Sequence, residues 1–289
     1  MEKILKKPLV KFFIYAIGIL VVYIGLGNLL PLVALQFDVP IRRLLINPIL
    51  DLTTIFALYF SYKFLWSKLE DKPFSEFENK NMPKTIGSSV LVVFIFAAII
   101  FGILYLNGNL TISQGDGFIV VLDLLFFSLA TAFAEEILFR GILFRITEEK
   151  FGSIISMLFS AFLFGIAHLF NENATILSAI SIGLEAGLAL SALYMLTRNL
   201  WACIIAHATW NFLESNIGVA VSGTPSTKSF FKSTLSGDTL LTGGDFGVEF
   251  SIITVLLGIG IGLYLLYIAY KKNMIRPPFW KNKDENLAA

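Results

Sequence analysis

Two histidines occur in 289 residues, His168 and His207, and each stands near residues that can do chemistry. Glu135 and Glu136 are adjacent, and Arg140 follows Glu136 by four positions. Phe164 precedes His168 by four, and Asn211 follows His207 by four. On a helix, neighbouring residues diverge by about 100°, so Glu135 and Glu136 point in different directions. Glu136 and Arg140 share a face and pair, which lets both charges stay in a low-dielectric site. Glu135 is then the unpaired carboxylate, free to serve as general base or acid. His207 and Asn211 lie one turn apart on one face. Together these groups fit hydrolysis. Glu135, with His168, would bind and deprotonate a water, and His207 and Asn211 would donate to the oxyanion of a tetrahedral intermediate. A second use is a metal site, in which Glu135, His168 and His207 hold Zn²⁺ and leave a fourth position open. No H-E-x-x-H occurs, so the zinc reading rests on residue type alone. Cys203, the single cysteine, has no cue for activation as a nucleophile.

The elements that must carry these residues are membrane helices. The chain is 56% hydrophobic and only 15% charged, with mean hydropathy +0.77 and 28 Phe. A soluble domain is about 25% charged. This composition excludes a disordered chain, a disulfide scaffold and a nucleic-acid binder, and it predicts a polytopic membrane protein. Eight apolar stretches are long enough to span: 12–35, 44–66, 86–106, 118–145, 153–171, 175–196, 200–221 and 250–270. They are long runs, not the short alternating segments of an outer-membrane barrel. The expected fold is all-α, a bundle of about eight transmembrane helices. The first run reads as a signal anchor, too long for a cleaved signal. With the N-terminus inside, 18 of the 22 basic residues fall on the cytoplasmic side; Arg42, Arg43, Lys228 and Lys232 fall outside. That bias predicts both termini in the cytoplasm. Residues 1–289 read as one membrane domain. Within it lie a core at 118–216, a flexible extracytoplasmic loop at 222–248, rich in Ser, Thr and Gly, and a cytoplasmic tail at 271–289.

Depth links the motifs. If spans four and five turn near Phe151–Gly152, then Glu135 and His168 stand 16 and 17 residues from the turn. Both would lie about 25 Å from it, at one height. His207, 8 residues past Asn199, is compatible with the same site. Asp51, Asp123, Glu185 and Glu214 are also ionisable and within or near spans, which marks them for attention. Glu214, three positions after Asn211, could orient it. The small residues Ser181, Gly183, Ala186, Gly187 and Ala189 suit close helix packing.

Glu135-Glu136-Ile-Leu-Phe-Arg140, Phe164-Gly-Ile-Ala-His168 and His207-Ala-Thr-Trp-Asn211, in this order, resemble the E-E-x-x-x-R, F-x-x-x-H and H-x-x-x-N motifs of a known family. These are the CAAX protease and bacteriocin-processing (CPBP, or Abi) intramembrane endopeptidases. The resemblance covers roughly residues 118–216. It implies a helical bundle whose site opens to the cytoplasm or inner leaflet. It also implies Glu135 as the water-activating carboxylate assisted by His168, with His207 and Asn211 on the oxyanion side. Glu136, Arg140 and Phe164 support them. Members have been described both as metalloproteases and as metal-independent glutamate proteases, so Zn²⁺ or no cofactor both stay open. The implied partners are membrane lipids and a lipidated (CAAX-type) protein or a leader or bacteriocin-type peptide; no nucleic acid is expected. The expected location is the plasma (inner) membrane of a prokaryote. A competing reading is a non-catalytic immunity or scaffold protein that binds a bacteriocin or partner.

Overall fold

The computed structural model describes residues 7–78 and 81–281. Lys3, Lys6, Lys80 and Lys283 of the inside count, and the end of the tail at 282–289, lie outside the described residues. Eight longer helices run through the rest. They are α1 (Pro8–Ala34), α2 (Val39–Leu69), α3 (Met82–Leu106), α4 (Val121–Glu136, continued by a π-helical stretch Ile137–Phe144), α5 (Arg145–Ala167), α6 (Ile176–Thr197), α7 (Leu200–Ile217) and α8 (Ile252–Lys271). Six helical stretches are long and apolar enough to cross a membrane. One of them, Gly117–Phe170, is 54 residues long and holds both α4 and α5; α7 is not among the six.

That long stretch breaks at Gly152, whose φ of 74° and ψ of 171° end the helix. The break falls where the sequence predicts the turn. A Cβ there would stand 2.7 Å from the Arg276 carbonyl oxygen, so glycine is required twice over, by its dihedral and by the tail packed on it. The turn is pinned by charge. Glu148 accepts from Ser153 and Arg198, and Arg198 also donates to the Met274 carbonyl. One buried carboxylate thereby ties α5 to the α6–α7 junction and to the C-terminal segment.

The core is layered around α7, which packs against α3 and α4; α2 lies on the other side of α4, and α1 on α2. Helices α5, α6 and α8 form the opposite wall. The expected close packing of α6 is present. A Cβ on Gly183 or Gly187 would come within 2.9 Å of Ala161, and one on Gly165 within 2.2 Å of the Ala179 carbonyl oxygen. Small residues thus let α5 and α6 touch backbone to backbone.

The loop at 222–248 departs from expectation. It is not free of structure: β2 (Phe231–Leu235) pairs antiparallel with β1 (Leu110–Gln114), a strand placed just after α3. The Ser/Thr/Gly content that suggests flexibility serves the tight turns on either side, and the pairing satisfies backbone groups within 231–235. Lys228 anchors it further, 2.5 Å from Asp123 at the start of α4.

Candidate functional site

Glu135 and Glu136 close the α-helical part of α4, immediately before the chain widens into the π-helical stretch. Such wide turns are uncommon and leave carbonyls outside the regular ladder. Side chains take them up here. Ser160 donates to Phe139 O at 3.0 Å, and Arg145 Nε donates to Gly141 O at 2.8 Å. The Tyr62 hydroxyl lies 2.9 Å from that same Gly141 oxygen. Three side chains from two helices, α2 and α5, therefore grip the widened turn below the two carboxylates.

Glu136 and Arg140 are both completely buried and pair at 2.7 Å, on one face as their spacing predicts. Arg140 also donates to Gly187 O at 3.3 Å, and its guanidinium lies 4.7 Å from the centre of the Phe164 ring. The same Glu136 oxygen accepts from His207 Nδ1 at 2.8 Å. Sequence reasoning missed this contact, because 71 positions separate the partners and no local spacing signals it. It fixes the imidazole: Nδ1 carries a proton and Nε2 points away from Glu136.

His168 is oriented in the same manner. Its Nδ1 lies 2.7 Å from Phe164 O, and since a carbonyl only accepts, Nδ1 is the donor. Its Nε2 then faces Glu135. Glu135 Oε2 stands 4.0 Å from His168 Nε2 and 3.8 Å from His207 Nε2. This oxygen has no hydrogen-bond partner among the described residues, although the side chain as a whole is 23% exposed. The equal depth expected of Glu135 and His168 is therefore met, and His207 joins them. Asn211 is buried on α7 one turn beyond His207. Its carboxamide makes no hydrogen bond among the described residues. Glu214 does not orient it, since both Glu214 oxygens are also without partners. Cys203 is buried and donates to Leu190 O, so its thiol is spent on packing.

The spacing decides how a metal would fit. A tetrahedral zinc with N and O ligands at about 2.1 Å sets neighbouring donors about 3.4 Å apart. The two Glu135–histidine separations are wider, and no trio of His, Cys, Asp or Glu positioned to hold a metal ion occurs among the described residues. As arranged, Glu135, His168 and His207 do not form a closed metal triad. Glu135 Oε2 instead faces both imidazoles from beyond direct hydrogen-bond distance.

A cavity of about 370 Å³ is lined by His207 and Phe164 together with residues of α3 and α8. Its walls are mostly apolar, among them Val92, Phe96, Leu190, Ile261 and Leu265. Sequence reasoning assigned neither α3 nor α8 to the site, since they carry no motif. The cavity's polar members are few, among them Glu185, Glu249, Ser222, Ser88 and Ser89. Glu249 lies just before α8. It accepts from Trp210 Nε1 at 3.2 Å and from the Ser222 hydroxyl at 3.0 Å. Burial pushes the Glu249 carboxyl up, against the pull of His168 and of those donors.

Apolar helices of spanning length around a buried set of acid, imidazole and carboxamide groups define an integral membrane protein with a buried polar centre. Residues 116–213 match the family model described as Type II CAAX prenyl endopeptidase Rce1-like. The resemblance carried by the three motifs is thereby borne out, and all seven motif residues lie inside the matched segment. By that match the chain is similar to the CAAX-type membrane endopeptidases. Neither a curated protein nor a solved structure matches it.

Proposed function

We propose that this protein hydrolyses a peptide bond in a lipidated, CAAX-type polypeptide, using water activated by Glu135. The observation that carries the reading is the Glu135 Oε2 atom, buried, without a partner, and facing two imidazole Nε2 atoms at 3.8 and 4.0 Å. A water bridging these groups would stand about 2.8 Å from each. Glu135 takes one proton as the water oxygen adds to the substrate carbonyl. The carbonyl oxygen becomes an oxyanion, and the uncommitted Asn211 amide and His207 are the donors nearest to it. His207 is flanked by Glu136 and Glu135, so its ring can hold a second proton on Nε2 and donate it. Glu135 then returns its proton to the leaving amine, and the peptide bond breaks. Removal of a prepositioned general base or oxyanion donor costs about 10²–10⁴-fold in rate.

Two further features support a lipid-bearing substrate over a plain leader peptide. The cavity beside His207 is walled by aliphatic and aromatic side chains, and two apolar helices, α3 and α8, supply part of that wall. Eight spans with both termini in the cytoplasm would turn Ser88 on α3 and Tyr264 on α8 toward the inner leaflet, where such a tail resides. The proposed location is the plasma (inner) membrane of a prokaryote. No step needs a metal, so cleavage should persist in excess chelator. The test compares a prenylated C-terminal peptide with its unlipidated twin. Wild type should cleave the lipidated form faster, and Glu135→Ala and His168→Ala should cleave neither. Equal cleavage by wild type and both variants would sink the mechanism. An immunity or scaffold role predicts the reverse: protection in cells that survives Glu135→Gln and fails when a packing surface is altered.

A further inference from the structure

His207, Trp210, Asn211 and Glu214 form one stripe along α7, because positions i, i+3, i+4 and i+7 share a helix face. The far end of the stripe is acidic. Glu214 is completely buried and lies close enough to Glu185 and Glu249 for the three acids to repel one another. Their contacts are unequal. Glu249 is satisfied by Trp210 and Ser222. Both oxygens of Glu214 and Oε1 of Glu185 have no partner among the described residues, and the Asn211 Oδ1 one turn away has none either. Burying such groups without hydrogen bonds is costly, so something must donate to them. No lysine or arginine forms an ion pair with them among the described residues, and no metal-holding trio occurs there. Glu185, Glu249, Ser222 and Trp210 line the cavity that reaches His207, so small donors have room to enter.

We propose that Glu185 and Glu249 on the cavity wall, with Glu214 buried beside Trp210 and Asn211 on α7, form a water-holding pocket next to this cavity, which keeps hydrolytic water beside the site within an apolar bundle. Water is the donor of the right size. A buried water makes about three hydrogen bonds to otherwise unsatisfied groups, and the unpartnered oxygens supply acceptors in that number. Glu214 and Glu185 are positioning residues in this account: they touch water, not the scissile bond. The catalytic part of the inference rests on the proposed hydrolysis, while the hydration part stands apart from it.

Two measurements on the purified full-length protein test it. The first is hydroxyl-radical footprinting, which labels side chains beside bound water whether or not the protein is active. Trp210 should be labelled in wild type and in Glu214→Gln, and protected in Glu214→Leu and in Glu185→Met. The second is cleavage of the prenylated peptide. Glu214→Leu should lose about tenfold or more in kcat with little change in KM, and Glu214→Gln should restore it. Thermal melting shows whether each variant is folded. Removing a buried, unpaired acid should leave Glu214→Leu at least as stable as wild type, so lost activity would not reflect unfolding. Unchanged Trp210 labelling in both apolar variants overturns the pocket, and so does wild-type kcat in Glu214→Leu. If wild type cleaves nothing, the functional reading fails and the footprint still decides the pocket.

Discussion

One oxygen of Glu136 serves two partners, Arg140 at 2.7 Å and His207 at 2.8 Å. Its loss should therefore act on stability and on the imidazole together. Glu136→Gln leaves the Arg140 charge buried without a counter-ion, which costs about 3–5 kcal/mol. Denaturant melts should show that loss, and Glu136→Leu combined with Arg140→Leu should recover most of it. Neither protein should regain full activity, because His207 loses its anchor. The pairing of Glu136 with Arg140 was legible in the sequence, since four residues on a helix is a local distance. The His207 contact was not, because it depends on how α7 lies against α4. For the same reason Glu249 and Ser222 went unread. They lie outside every motif and act through a loop whose path the sequence does not specify.

The helices themselves were the most legible part. Each of the eight apolar runs corresponds to a helix, and the turn expected near Phe151 falls at Gly152. What hydropathy does not record is winding. The π-helical stretches at Ile137–Phe144 and Gly183–Gly187 lie directly beside the site, one after Glu136 and the other around Glu185. Phe139 O, Gly141 O and Gly187 O in these stretches accept from Ser160, Tyr62 and Arg140 on other helices, contacts that no local spacing signals. The contact of α5 with α6 is equally exacting. Gly165→Ala would drive a methyl to 2.2 Å from the Ala179 carbonyl oxygen, and backbone has nowhere to go. We expect the variant to melt several degrees lower and to lose activity, because His168 stands three residues beyond the displaced turn. A Gly165→Ala protein with wild-type melting and cleavage would show that the α5–α6 approach does not position His168. The flexible loop expected at 222–248 is the clearest misreading, because strand pairing with 110–114 joins segments more than 115 residues apart.

Across the whole molecule, charge is sorted into pins at the helix ends and a few groups inside. Glu70 joins α1, α2 and α5 through Lys11 at 2.7 Å and Arg145 at 2.9 Å. Burial works against its ionisation, yet Arg145 and Lys11 hold the carboxyl below its ordinary value of 4.5. Its folded-state value is depressed, so its stabilisation is fully present above pH 4.5 and is lost as pH falls through the lower, folded value. Glu76 works the other way, since burial pushes its carboxyl up despite Arg145, Tyr62 and Tyr194. Comparing wild type with Glu70→Gln isolates the first effect. Below pH 4.5 the melting temperature of wild type should drop more steeply than that of the variant. Parallel curves would mean that this three-helix pin contributes nothing.

The central claim is that Glu135, poised against His168 and His207, activates water for peptide hydrolysis. Its most direct test is mass-spectrometric detection of cleavage of a prenylated C-terminal peptide by purified wild type and Glu135→Gln, both in excess chelator. The account predicts one cleaved bond with wild type and a rate about 10²–10⁴-fold lower in the variant. Cleavage by Glu135→Gln at the wild-type rate would contradict it, as would wild-type activity that disappears with chelator and returns with zinc.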